Sequence, residues 1–217
     1  MAFSPPSRNP TNDDSLQGVL EVVLDKHLQG VDDMLPAQVV AYDRDDNMAT
    51  VQPLITIVTT DGVVIRRAQL ADVPVLRMGG NGVVMSFHLA QGDLGWIKSN
   101  DRDISLYKQN KAETIPNTNR KHSFSDAIFI PDVFKGVTIN SGHKTHAVIQ
   151  SADGTSGVAY MTGSNVMDIF STTMAFKLPR MTHSQRNAIP SPQGGMMVYC
   201  TDAPVGFSYY TDGSGWS

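Results

Sequence analysis

The stretch VQPLITIVTTDGVVIRRAQLADVPVLRMGGNGVVMSFHLAQGDLGWIKSNDRDIS, residues 51–105, decides the fold. It reads as consecutive antiparallel strands that carry no catalytic residue set. Val51, Pro53, Ile55 and Ile57 alternate with Gln52, Leu54 and Thr56, the period of a strand buried mainly on one face. Asp61 and Gly62 supply a turn, because glycine accepts positive φ and aspartate tolerates it, and Val63, Val64 and Ile65 carry the chain back.

Working outward, the strands begin after Met34, Leu35 and Pro36. The pattern predicts Ala37 to Tyr42, a polar turn from Asp43 to Asn47, then Met48 to Thr59, Val63 to Gln69, a kinked segment from Ala71 to Leu76, Val83 to Leu89, and Gly92 to Lys98. About five strands joined by short turns suit a small OB-like antiparallel barrel better than a large sandwich. Pro53 and Pro74 cannot donate to a ladder, so they are expected at edges, bulges or strand ends. Asp101 to Asn110 reads as a short helix capped by Asn100 or Asp101. Lys111 to Arg120 reads as a polar loop, and the apolar run Ala127, Ile128, Phe129, Ile130 and Pro131 is expected to seal the barrel.

The flanks differ. Residues 1–13 are rich in proline, serine and asparagine and read as a flexible arm. Leu16, Val19, Leu20, Val23, Leu24 and Leu28 then recur at helical spacing, with Asp13, Asp14 or Ser15 available to cap the start and Gly30 to close the end. Its greasy face is expected to cover a barrel end or to meet a neighbouring chain. Residues 14–135 thus read as a helix plus barrel. Residues 136–217 are rich in Gly, Ser, Thr and Met, with brief strand candidates, and cannot bury much core alone. Intertwined oligomerisation is the economical remedy.

Composition agrees with a mainly β chain: of 21 carboxylates only Glu21 and Glu113 are glutamate, and aspartate prefers turns and caps to helix interiors. A net charge of −4 argues against nucleic acid as the main partner. Stacking on single strands would need a basic groove with aromatics, whereas the barrel offers Trp96, Tyr42 and Phe87 beside one basic group, Arg66, Arg67 and Arg77. Those arginines are expected to solvate a strand edge or meet an acidic neighbour. The single Cys200 excludes an internal disulfide framework. The N-terminus lacks a signal-peptide core and no run of about 18 apolar residues occurs, so synthesis as a soluble cytoplasmic product is expected.

Candidate chemistry is thin. His143 and His146 form an H-x-x-H pair, but in a strand this spacing puts the rings on opposite faces, and no third ligand follows. His183, one per chain, would offer three nitrogens if a threefold axis passed it. Asp101 and Asp103 look like a helix start, not an acid pair. Cys200 with His183 has no local signature of a thiol nucleophile and base. Gly79, Gly80 and Gly82 do not join a strand to a helix as phosphate loops require, and read as a loop in the barrel. No catalytic, cofactor or metal residue is assigned, and no enzyme is expected.

Several blocks carry a family likeness: Val51-Gln52-Pro53, Asp72-Val73-Pro74, Gly92-Asp93 and Ser125-Asp126-Ala127-Ile128, within LPAQVVAYDRDDNMATVQPLI, ADVPVL, FHLAQGDLGWIKSNDRDISLY and RKHSFSDAIFIPDVF. Over roughly Asp14 to Phe134 the chain resembles the N-terminal domain of contractile-tail phage central spikes, the membrane-piercing baseplate spike family. That resemblance implies a homotrimer whose OB-fold domains dock on tail hub or tube proteins, while a slender, intertwined, β-structured C-terminal region pierces the host outer envelope as the sheath contracts and meets the outer membrane transiently. It also implies a place in the virion, at the tail baseplate, after synthesis in the host cytoplasm. LPRMTHSQRNAIPSPQGGMMVYCTD, with FSYYTDGSGWS, looks like a terminal module of phage tail fibres. Spikes of the family often end in a His-x-His iron site, and no His-x-His occurs here. The rival readings are a fibre-tip or baseplate adaptor protein that binds a host surface or another tail component, and a cell-wall hydrolase subunit.

Overall fold

The computed structural model describes residues 15–59, 62–132, 136–161, 163, 166–171 and 175–217. The chain divides into two compact units, Met1–Lys135 and Gly136–Ser217. The expected arm over residues 1–13, the capping options Asp13 and Asp14, and the turn residue Asp61 lie outside the described residues.

Helix α1 (Leu16–Gln29) opens the first unit. Ser15 caps it by accepting the Gly18 amide at 3.0 Å, and Gly30 ends it. The strands follow as β1 (Met34–Asp43), β2 (Met48–Pro53), β3 (Ile57–Val58), β4 (Val64–Ile65), β5 (Leu70–Pro74), β6 (Met78–Gly80), β7 (Val83–Met85), β8 (Leu94–Asn100) and β9 (Ser123–Pro131), with helix α2 (Ser105–Asn110) before the last. Five of them make one antiparallel sheet in the order β5-β2-β1-β8-β9. Its two edges then meet: Val75 bridges Phe129 in parallel, and the Leu76 amide donates to the Phe129 carbonyl at 2.8 Å. The sheet is thereby a nearly closed five-stranded barrel, as the strand spacing predicted.

Alternation fills the barrel. Along β8 every second residue, Gly95, Ile97 and Ser99, points inward. The core joins Ala37, Val39, Ala49, Val51, Val73, Val75, Leu89, Ile97, Phe124, Ala127 and Phe129. Gly95 lies beneath Phe129, where a Cβ would fall 2.4 Å from Phe129 Cζ and 2.5 Å from the Ile130 carbonyl. Glycine is therefore what lets the largest buried ring seat at the seam.

The opening stretch contributes fewer barrel strands than its pattern suggests. The expected strand Met48 to Thr59 stops at Pro53, because Pro36 opposite Leu54 accepts its amide at 2.9 Å but has no N–H to return the bond. Ile55 and Ile57, expected on the buried side, are exposed, whereas Gln52, expected on the polar side, is buried and donates to the Arg67 carbonyl at 2.8 Å. Of Val63 to Gln69 only Val64 and Ile65 pair, with Ile57 and Val58, in a separate hairpin whose Gly62 has φ +78°. Val83 to Leu89 does not join the barrel either. Its first three residues fold back on β6 across Asn81 and Gly82, both at positive φ, the two-residue turn that favours hairpins. The fifth barrel strand is instead β9, grown around the apolar run at Ala127. Pro53 and Pro74 both end strands, as expected.

In the second unit β10 (Ala147–Gln150), β11 (Ser156–Met161) and β12 (Val166–Ser171) form an antiparallel meander. A further sheet holds β13 (Arg180–Met181), β14 (Met197–Cys200), β15 (Gly206–Thr211) and β16 (Gly215–Trp216). Helix α3 (His183–Asn187) starts with a capping box, in which Thr182 accepts the Gln185 amide and the Gln185 side chain accepts the Thr182 amide at 2.9 Å. No described helix is long and apolar enough to cross a membrane.

Two substitutions test the seam. Gly95→Ala is expected to cost about 1–3 kcal/mol through overpacking against Phe129. Phe129→Ala should cost about 3–5 kcal/mol through the lost ring and the void left behind. Urea unfolding followed by tryptophan fluorescence measures both, and a wild-type midpoint in Gly95→Ala would refute the steric account.

Candidate assembly surfaces

The apolar stripe of α1 is exposed among the described residues of the first unit. Leu16, Val19, Leu20, Val23, Leu24 and Leu28 are all exposed, Leu16 at 77%. The hairpins β3–β4 and β6–β7 add Ile57, Val64 and Ile65 on one and Met78, Val83 and Val84 on the other, also exposed. A lone chain rarely presents so many large aliphatic groups to water, which makes these surfaces the candidates for assembly.

Polar side chains of the first unit serve the fold. Arg120 spans two buried carboxylates: its Nε lies 3.0 Å from Asp126 Oδ2 and its Nη2 3.2 Å from both Asp126 Oδ1 and Asp103 Oδ2. The Thr118 hydroxyl donates to Asp103 at 2.6 Å, and the amides of Ser105 and Ile104 donate to Asp103 at 2.8 Å and Asp126 at 3.2 Å. This cluster pins the polar loop before β9 onto the barrel. Hydrogen bonds from Thr118 and then Ser105, with the Arg120 charge behind them, hold the Asp103 carboxyl well below the usual carboxylate range. The expected helix start at Asp101 is displaced, since α2 begins at Ser105 and Asp103, not Asn100 or Asp101, takes its first amide. Asp101 instead meets Arg102 at 3.5 Å and His122 at 3.2 Å.

The basic group separates. Arg67 pairs with Asp32 at 3.4 Å, Arg77 donates to the Arg44 carbonyl at 2.6 Å and to Tyr42 Oη at 3.3 Å, and Arg66 is exposed. Trp96 donates to Asp132 at 2.9 Å and the Tyr42 hydroxyl to Asn47 at 3.1 Å, while Phe87 is exposed. Gly79, Gly80 and Gly82 belong to the β6–β7 hairpin.

In the second unit His143 sits in a 3-10 turn, not a strand, so the two histidine rings approach to 6.1 Å between centroids in place of facing apart. His143 stacks on Phe170 at 4.4 Å and its Nε2 lies 3.4 Å from Asp168. His183 contacts Asp202 through both its amide and Nδ1, each at 2.8 Å, and these bonds hold the Asp202 carboxyl below its ordinary range. Cys200 is buried with its sulfur 3.7 Å from Ser208 Oγ, and Arg186 reaches that same hydroxyl at 2.7 Å. Among the described residues no three His, Cys, Asp or Glu side chains gather as a metal group would require.

Sequence reasoning overlooked the Arg120 cluster and the β6–β7 hairpin. The hairpin had a local signal, Asn81-Gly82 between short apolar runs. The cluster had none, because Asp103, Arg120 and Asp126 meet only when the chain folds.

A depressed Asp103 contributes stability that is present above its unfolded pKa of about 3.9 and is lost as pH falls through the lower folded value. Asp103→Asn is therefore expected to lower the melting temperature at pH 7 and to flatten its fall below about pH 4. Melting curves from pH 7 to pH 2 check this, and parallel acid limbs for both proteins would count against it.

Comparison with known proteins bears on both units. Residues 35–132 match the family described as phage protein Gp138 N-terminal domain, which covers the barrel from β1 to just past β9. Residues 153–217 match the family described as phage tail like trimerisation region, which begins before β11 and takes in the C-terminal sheet. No curated protein matches the chain. The two matches together support a structural phage tail protein, a component of the virion, whose trimerisation region suggests a homotrimer.

Proposed function

We propose that this chain forms the homotrimeric central spike of a contractile phage tail baseplate and pierces the host outer envelope when the sheath contracts. The observation that carries the reading is the union, in one chain, of a barrel matched by a phage domain and a trimerisation region, with apolar surfaces that a lone chain leaves in water. Three copies can cover the apolar surfaces of the C-terminal region on one another, each fully buried Val, Leu, Ile or Met contributing about 1.5–3 kcal/mol. In this reading α1 and the outer barrel surface attach to tail hub or tube proteins, and the C-terminal region meets the host membrane transiently. The spike acts mechanically, without a reaction or cofactor of its own. Intertwined strands suit that duty, because they leave few free edges and unfold slowly.

The full chain is expected to run in solution at about three times its 23.6 kDa mass at micromolar concentration. Antibody-gold labelling of intact tails should mark one axial position at the distal end of the baseplate. A peripheral position on the fibres would overturn the spike in favour of a fibre-tip protein, and a monomer by light scattering would overturn the trimer.

A further inference from the structure

The register of the β10–β12 meander sorts its side chains into two faces, one without charge and one that carries a carboxylate. Ala147 pairs with Tyr160 and Tyr160 with Met167, while Ile149 pairs with Val158 and Val158 with Ile169. Directly paired residues share a face, so these six stand together, with Ser156 and Ser171 continuing the face. No residue on it is charged. The other face holds Val148, Gln150, Gly157, Ala159, Met161, Val166, Asp168 and Phe170, with Val166 exposed at its end, and the chain covers part of it itself by laying His143 on Phe170 and against Asp168. Ala159 there is fully buried, whereas on the uncharged face Ile149 is 63%, Met167 68% and Ile169 53% exposed.

We infer that the face of Ile149, Val158, Tyr160, Met167 and Ile169 is the surface on which three copies of this chain pack about their common axis. The inference rests on the trimeric reading above and adds where the contact lies. Two observations name a second copy as the occupant. The region matched as a trimerisation region contains β11 and β12, the strands that supply four of these five residues. The face also meets the demand that threefold symmetry makes. Around such an axis each residue confronts its own copies, so any charge would face like charge without water, whereas aliphatic ladders pack on themselves at no such cost. The three strands keep their one carboxylate, Asp168, on the opposite face, beside His143 of the same chain. Three short sheets with uncharged inner faces make a narrow prism, a shape that a single three-stranded sheet cannot hold by itself.

Two variants of the full chain test the placement. Ile169→Asp puts three carboxylates at the axis and is expected to shift the protein from trimer to monomer at micromolar concentration by native mass spectrometry, while Lys144→Asp, on an exposed residue near by, should leave the trimer intact. Should Ile169→Asp fail to fold, thiol kinetics decide: Cys introduced as Ile169→Cys is expected to react with a maleimide slower by about tenfold or more than Cys introduced as Lys144→Cys, each site read by peptide mapping. Equal labelling rates in a protein that is still trimeric would overturn the inference and leave the trimeric reading standing. So would protection at residue 169 that arises only on adding phospholipid vesicles. A monomeric wild type would overturn the trimeric reading and this inference with it.

Discussion

Closure of the barrel at Phe129 is the contact on which the first unit depends. Val75 and Leu76 at the end of β5 meet the backbone of Phe129 on β9, turning an open sheet with two bare edges into a nearly closed one. The phenyl ring fills the interior beneath that junction, and Gly95 gives it room. Neither edge strand could hold this position alone: β5 is short and bulged at Asp72, which takes a positive φ of +54°, and β9 shifts register beside Ser99.

Charge is used in the same service. Arg120 holds Asp103 and Asp126 against the barrel, and amides and the Thr118 hydroxyl satisfy the remaining carboxylate oxygens, so the loop that leads into β9 is fixed by bonds it could not make in the unfolded chain. A buried pair of acids in a cleft would invite a catalytic reading. Here every oxygen of the pair already has a donor, and an arginine sits between them where a substrate would have to be. The cluster positions structure.

The exposed apolar surfaces explain how so lean a chain can be stable. The second unit buries few apolar residues internally, chiefly Ala159, Val198 and Cys200, while Ile149, Met167, Phe176 and Phe207 stay in water. Folding of such a segment draws on association, since intermolecular burial supplies what the internal core lacks.

Read by itself, the sequence determined the kind of elements: a helix with one apolar face over Leu16 to Leu28, a barrel of short antiparallel strands, strand ends at Pro53 and Pro74, and brief strands in the C-terminal region. These follow from periodicity, proline chemistry and composition, all of which are local. Only the tertiary structure decided which strands belong to the barrel. Ile55, Ile57 and Val83 to Met85 alternate or cluster as core strands do, yet Ile55 falls in a bend and the others leave in hairpins, because the ladder breaks at Pro36 and the interior is already filled by β9 and Phe129. Only the fold brought Arg120 to Asp103 and Asp126, and only it placed His143 in a turn against Phe170. Such facts depend on residues far apart in the chain competing for one space, and no local pattern records the outcome of that competition.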